Sequence, residues 1–315
     1  MNTSTSTPER VSTPATRFVL AAAQYPVSAP RDWHEVEQQL SQWCAEAAAH
    51  EAKLLLFPEY ASMSLAALFA AEVQADLHAQ IHAMQALRER YVDLHRALAR
   101  QHHAYIVAGS FPWQLTDGSF RNRAWLCAPD GRADFQDKRV MTRFEREQWH
   151  IAGGDALKVF DTALGCLAID ICYDIEFPLL ARAQAEAGAK LILSPSCTDT
   201  LGGYHRVRVG AQARALENQC YTVQAPLVGE APWSPAIDIN VGAAGVFGPP
   251  DRAFPDDGVV ALGTLNSAQW IYAEIDTARV HAVRTQGQVF NHRHWSDQFD
   301  GGIATALPMI ERVVL

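Results

Sequence analysis

The apolar positions of this chain fall into short unbroken runs that alternate with longer stretches of helical spacing. "RFVLAAAQ" (17–24) and "KLLLFPE" (53–59) are runs of strand length without polar alternation, which is how a strand covered on both faces reads. Between them, 33–50 is rich in Ala, Glu and Gln at helical spacing. The Ala, Leu and His pattern of 71–101 predicts one long helix, followed by strands at "AYIVAGSF" (104–111) and "RAWLCA" (123–128) and a tight turn at "PDGR". Further on, "GCLAIDI" (165–171), "AKLILSP" (189–195) and "CYTVQAPLV" (220–228) predict strands, separated by helices over 176–188, closed by Gly188, and over 204–219. Pro, Gly and Asp crowd 229–258, predicting long loops around a short strand near 241–247, and "WIYAEID" (270–276) supplies a late strand.

Buried strands alternating with helices predict an α/β fold whose sheet faces are covered. Hydrophobic residues make up 49% of 315, enough for one large core. The domain is expected over 17–290. Residues 1–16, "MNTSTSTPERVSTPAT", read as a disordered lead-in, and 291–315 as a tail that docks on a partner or on the domain itself.

Charge narrows the function classes. With 26 basic residues against 35 acidic ones and no basic run, nucleic acid is excluded as a partner. No apolar stretch reaches the roughly 18 residues of a membrane span, and 1–16 lacks the apolar centre of a secretory signal. A soluble cytoplasmic protein is expected. The six cysteines contain no C-x-x-C pair, which argues against a disulfide framework and a zinc knuckle and makes most of them small buried hydrophobes.

Reactive groups stand where three apolar strands end, the place where α/β sheets gather function. Glu59 closes "KLLLFPE" behind a proline that stops the ladder. Cys172 closes "GCLAIDI" just before a helix with Pro178 in its first turn, where unpaired N–H groups favour the thiolate and lower a reference pKa of about 8.5. Lys138 stands in "FQDKRVMTRFEREQW", and the chain has four lysines against 22 arginines, so a lysine here suits a compact point charge. A thiol, a carboxylate and an ammonium make a nucleophile, a general base and an anion stabiliser.

In the order Glu, Lys, Cys, the stretches "LLLFPE", "DKR" and "GCLAIDICYDIEFP", joined by "LILSPS" and "RALENQCYTVQAP", resemble the nitrilase superfamily of carbon-nitrogen hydrolases. The resemblance runs from about 17 to about 290 and implies a four-layer αββα sandwich, a homodimer or larger homo-oligomer, and thioester chemistry on a small amide with no metal or organic cofactor. It implies that Cys172 attacks the carbonyl carbon, that Glu59 moves the proton, and that Lys138 and the backbone N–H of Tyr173 hold the oxyanion. It implies a second glutamate near the lysine, for which Glu145 and Glu147 compete and Glu147 is preferred by its distance to Gly154. Asp174 and Glu176 then begin the next helix, where acids suit the dipole. Tyr60, Glu176, Thr198 and His205 are the candidate substrate-binding residues, with Trp149 and Trp233 as aromatics of the pocket or the core. His205 is also the histidine best placed to compete for a catalytic part.

Tyr173 and Asp174 after the cysteine resemble amidase-type members, so amide hydrolysis leads over nitrile hydrolysis. Some amidase members carry an arginine where this chain has Glu176, which predicts that a neutral or cationic substrate is preferred over an anionic one. "MTRFEREQW" and "GVFGPPD" resemble a bacterial branch in which such a module is sometimes fused behind an N-acetyltransferase. Two alternatives stay open: acyl transfer from the same thioester to an amine, and a non-catalytic binding or assembly protein that keeps the fold.

Overall fold

The computed structural model describes residues 16–299 and 308–315, so the expected disordered lead-in lies outside the described residues but for Thr16. Its framework is a strongly bent sheet in two halves. The first half contains β1 (Arg17–Pro26), β2 (Ala52–Leu56), β3 (Tyr105–Gln114), β4 (Phe120–Cys127) and β5 (Ala133–Asp137) in that spatial order. The second runs through β6 (Leu157–Thr162), β7 (Gly165–Ile169), β8 (Leu191–Ser196) and β9 (Tyr221–Glu230). The halves meet at one corner, where Tyr25 and Pro26 of β1 pair with Leu227 and Val228 of β9. β10 (Gln269–Asp276) lies antiparallel on the other side of β1.

Alternation of side chains along β1 builds two layers of core. Phe18, Leu20 and Ala22 point into a cluster shared with Leu54 and Leu56 of β2 and with Leu167 and Ile169 of β7, which packs the two sheet halves together. Ala21 and Ala23 point the other way, against α1 (Trp33–Ala49) and α2 (Arg88–His102). The second half is covered in turn by α3 (Pro178–Glu186) and α4 (Leu201–Asn218), whose Val207, Ala211 and Ala215 are buried. The result is the expected αββα layering.

The long helix expected over 71–101 is instead three pieces, Ala71–Gln74, Leu77–Met84 and α2. The cause is Asp76, whose carboxylate accepts the N–H groups of His78 and Ala79 and so caps a new start in mid-pattern. β5 and β6 were not foreseen, because "ADFQD" and "LKVFDT" mix polar with apolar positions. In the C-terminal tail, β11 (Ile310–Val314) adds a parallel strand to β6, so this part docks on the chain's own sheet. No helix among the described residues is long and apolar enough to cross a membrane.

Candidate active site

Each reactive residue is delivered by a strand that has run out of partners. Beyond β2, Pro58 has no N–H to continue the ladder, and the turn it makes lies against β3 at Gly109. A Cβ at Gly109 would stand 2.2 Å from the Pro58 carbonyl oxygen, and the residue has φ +73°, so only glycine lets the turn settle there. Tyr60 follows in the left-handed region at φ +56°, and its N–H donates to Ser110 Oγ at 2.9 Å, which fixes Glu59 between them. Lys138 leaves the end of β5 with its N–H on the Asn122 carbonyl (2.8 Å) and its own carbonyl accepting from Gly154 (2.8 Å).

Cys172 leaves β7 at φ +50°, a conformation that costs about 1–2 kcal/mol for a residue with a Cβ, and opens the 3-10 turn Cys172–Glu176 ahead of α3. Strain of this kind collects where a side chain must be aimed rather than packed. The thiol reaches the Cys197 carbonyl at 3.7 Å and has Glu59 and Lys138 as its charged neighbours. The N–H of Tyr173 lies in the first turn, where amides have no partner within the helix.

Lys138 Nζ donates to Glu59 Oε1 and to Glu145 Oε2, both at 2.7 Å, and all three residues are buried. Asn122 Nδ2 bridges the same two carboxylates, at 2.8 Å to Glu59 and 3.0 Å to Glu145. Glu145 accepts further from the Tyr60 hydroxyl at 2.7 Å and from the N–H and hydroxyl of Thr142 at 2.9 and 2.8 Å.

That abundance of donors separates the two carboxylates chemically. Burial raises Glu145, but Lys138, Tyr60 and Thr142 together overcome it and hold its pKa below the ordinary value. Glu59 goes the other way, raised by burial and by the charge of Glu145 although Lys138 opposes both. Burial works against the Lys138 ammonium, yet its two carboxylates keep it well above the usual lysine value. The Cys172 thiol is pushed well up by burial and then by the Glu59 charge. This runs against the expected thiolate, because burial takes away the water that would stabilise the charge and Lys138 does not make up for it. The site therefore sets a thiol beside a carboxyl group of raised basicity, with Glu145, held by its donors, as a counter-charge of Lys138.

The second glutamate is Glu145, not Glu147. The segment Phe144–Gln148 is a single π turn, and residues two apart on such a turn face opposite ways, so one of the pair points in and the other out. Glu147 is exposed and takes Arg143 in a bidentate pair at 2.9 Å. Asp174 also departs from expectation. It is buried, and its carboxylate accepts the N–H of Val140 at 2.8 Å and of Arg139 at 3.0 Å, tying the cysteine turn to the backbone directly after Lys138. Burial is the main reason that its pKa is raised to about 7.

Above this floor opens a cavity of about 620 Å³, and Tyr60, Tyr173, Glu176, Thr198 and Trp149 are on its wall. The Thr198 hydroxyl donates to the Val241 carbonyl at 2.7 Å. Tyr60 serves the floor through Glu145. His205 does not belong to the cavity: it is exposed on α4, because the face of that helix which carries Gly203 and Val207 is the one turned to the site. Trp233 is half-buried and packs against the core on the α1 side. Sequence reasoning missed Asn122, although a buried-strand pattern interrupted by "RNR" is a signal for a polar group turned inward. It missed Asp199, Arg206 and Asp238 on the wall as well.

Residues 19–285 match the family described as carbon-nitrogen hydrolase. The probable hydrolase YhcX of Bacillus subtilis (strain 168) is 35% identical over 270 residues, which is 86% of this chain and 52% of that protein. Omega-amidase NIT2 of Homo sapiens is 25% identical over 287 residues, covering 88% of this chain and 95% of that one. Among solved structures, the C. elegans NitFhit protein superposes with a TM-score of 0.73 at 24% identity, over 91% of this chain and 67% of that chain. The chain spans about half the length of curated relatives such as YhcX and NitFhit.

Proposed function

From the premise that this chain belongs to the carbon-nitrogen hydrolase family, we propose that it hydrolyses a small linear amide or carbamoyl compound through a thioester on Cys172. The observation that carries this reading is one buried lysine between two unequal carboxylates beside a thiol: Glu145 is filled with donors from Lys138, Asn122, Tyr60 and Thr142, while Glu59 accepts from Lys138 and Asn122 alone. Environments that push two like groups apart assign the acid–base roles. Glu59, the raised one, takes the thiol proton as Cys172 Sγ bonds to the carbonyl carbon, and gives it to the departing nitrogen as the C–N bond breaks. Lys138 Nζ and the Tyr173 N–H hold the oxyanion meanwhile. Water deprotonated by Glu59 then attacks the thioester, the acid leaves, and the thiol recovers its proton. Glu145 keeps Lys138 charged and in place throughout.

Ammonia release from hexanamide by the native chain, absent with Cys172→Ala, is the expected result. Equal release by both would remove the cysteine from the mechanism. The cytoplasm, where thiols stay reduced, suits this nucleophile. Exposed Leu201, Val209 and Leu216 on α4 support self-association into a homodimer, to be read by sedimentation of the native chain beside Val209→Asp. A native chain that sediments as a monomer contradicts that part.

A further inference from the structure

An amide group occupies a small part of a cavity of about 620 Å³, so the outer wall has to meet the other end of the molecule that carries it. The charged residues of that wall are Arg143, Glu176, Asp199, Arg206 and Asp238. Both arginines already answer an acid: Arg143 is held by Glu147 at 2.9 Å, and Arg206 Nε lies 3.8 Å from Glu176. Asp199 and Asp238 have no cationic partner among the described residues, and the Asp238 carboxylate accepts only the N–H of Ile239 next to it. An independent feature points the same way. Of the aromatics around the cavity Tyr60 and Trp149 are buried, but Phe144 and Tyr173 are half-buried and keep surface on its wall, and aromatic faces attract cations while offering nothing to a carboxylate. A concave, partly apolar wall also focuses the field of charges at its rim, so exposed acids act here more strongly than on a flat surface.

We propose that the substrate is an amide or carbamoyl compound whose far end carries an ammonium or guanidinium group, with Asp199 and Asp238 as its counter-charges. The inference rests on the hydrolase reading and names the substrate class of that same site. It moves the selection of charge away from Glu176, whose carboxylate is shared with Arg206 and whose pKa is raised chiefly by burial.

The test uses three amides of one length: 5-aminopentanamide, hexanamide and adipamate, cationic, neutral and anionic. The expected order of kcat/KM is cationic over neutral over anionic, with about tenfold between the first two, the scale of one well-placed cation contact in a sheltered site. In Asp199→Asn/Asp238→Asn that ratio should fall towards one, and raising the salt concentration should shrink it in the native chain. Protection of Cys172 from iodoacetamide by the same three compounds reads the preference without turnover. Hydrolysis of all three at equal rates, or better protection by adipamate, overturns the inference and leaves the hydrolase reading intact. Turnover of none, with 5-aminopentanamide still protecting best, sinks the hydrolase reading and keeps the charge preference.

Discussion

At the floor of the cavity, Lys138, Glu59 and Glu145 are 1–2% exposed and hold one another at 2.7 Å, whereas at its mouth Arg143 and Arg206 are 89% and 65% exposed and meet their acids loosely or from outside. The same residue types obey different rules in the two places. A buried charge without a partner costs several kcal/mol, so every charge on the floor is answered by another and by Asn122, Tyr60 or Thr142. An exposed pair contributes little, so the mouth can hold Asp199 and Asp238, without a cationic partner among the described residues, at small cost to the fold. On the proposed reading, chemistry is built where stability leaves no freedom, and selection where it does.

The sharpest way to break this comparison is to remove the central floor charge. Lys138→Met leaves two carboxylates buried together and should lower unfolding stability by about 3–5 kcal/mol in urea. A loss below about 1 kcal/mol would mean that the floor tolerates imbalance as the mouth does.

Next in size is a contrast between neighbours. Glu145→Gln should lower kcat/KM about a hundredfold by loosening Lys138, while Glu147→Gln should change it by less than about twofold, the level expected of an exposed pair. Equal effects in assays on hexanamide would erase the distinction between inside and outside. Asp174→Asn keeps one oxygen on the Arg139 and Val140 amides but loses the full carboxylate, and a drop of about tenfold in kcat with KM unchanged is expected. A change in KM alone would place its influence at the mouth.

The pH profile distinguishes the regions further. Glu59 must be ionised to act as base, and burial raises its pKa, so kcat/KM should climb with pH through a limb above the ordinary carboxylate range. A limb at the ordinary value would assign the proton to another group. Least of all, Arg143→Ala should leave the urea midpoint unmoved, since its pair with Glu147 is exposed to solvent.

Cys172 and Glu59 were legible in the sequence because each ends an apolar run, and Lys138 because it is one of four lysines against 22 arginines and stands in "DKR", after a strand-turn-strand region. The structure brings these three together. Glu145 could not be told from Glu147 by counting, since a π turn shifts the register that spacing assumes. The task of Asp174 was hidden for another reason: its partners lie 34 and 35 residues earlier, and a local rule about helix ends supplied a sufficient but different explanation. Strands β1, β2, β7, β8 and β9 were legible as continuous apolar runs. β5, β6 and β11 were not, because their own patterns mix polar with apolar positions; β5 and β6 are fixed by antiparallel pairing to their chain neighbours β4 and β7, and β11 by pairing to the distant β6.

The central claim is a thioester on Cys172, and partition by hydroxylamine tests it most directly. Hexanamide and N-methylhexanamide share an acyl group and differ in the amine that leaves. Passage through one acyl-enzyme predicts the same ratio of hydroxamate to hexanoic acid from both, and no product from either with Cys172→Ala. A ratio that depends on the leaving amine would show that no common acyl intermediate forms, and would contradict the account.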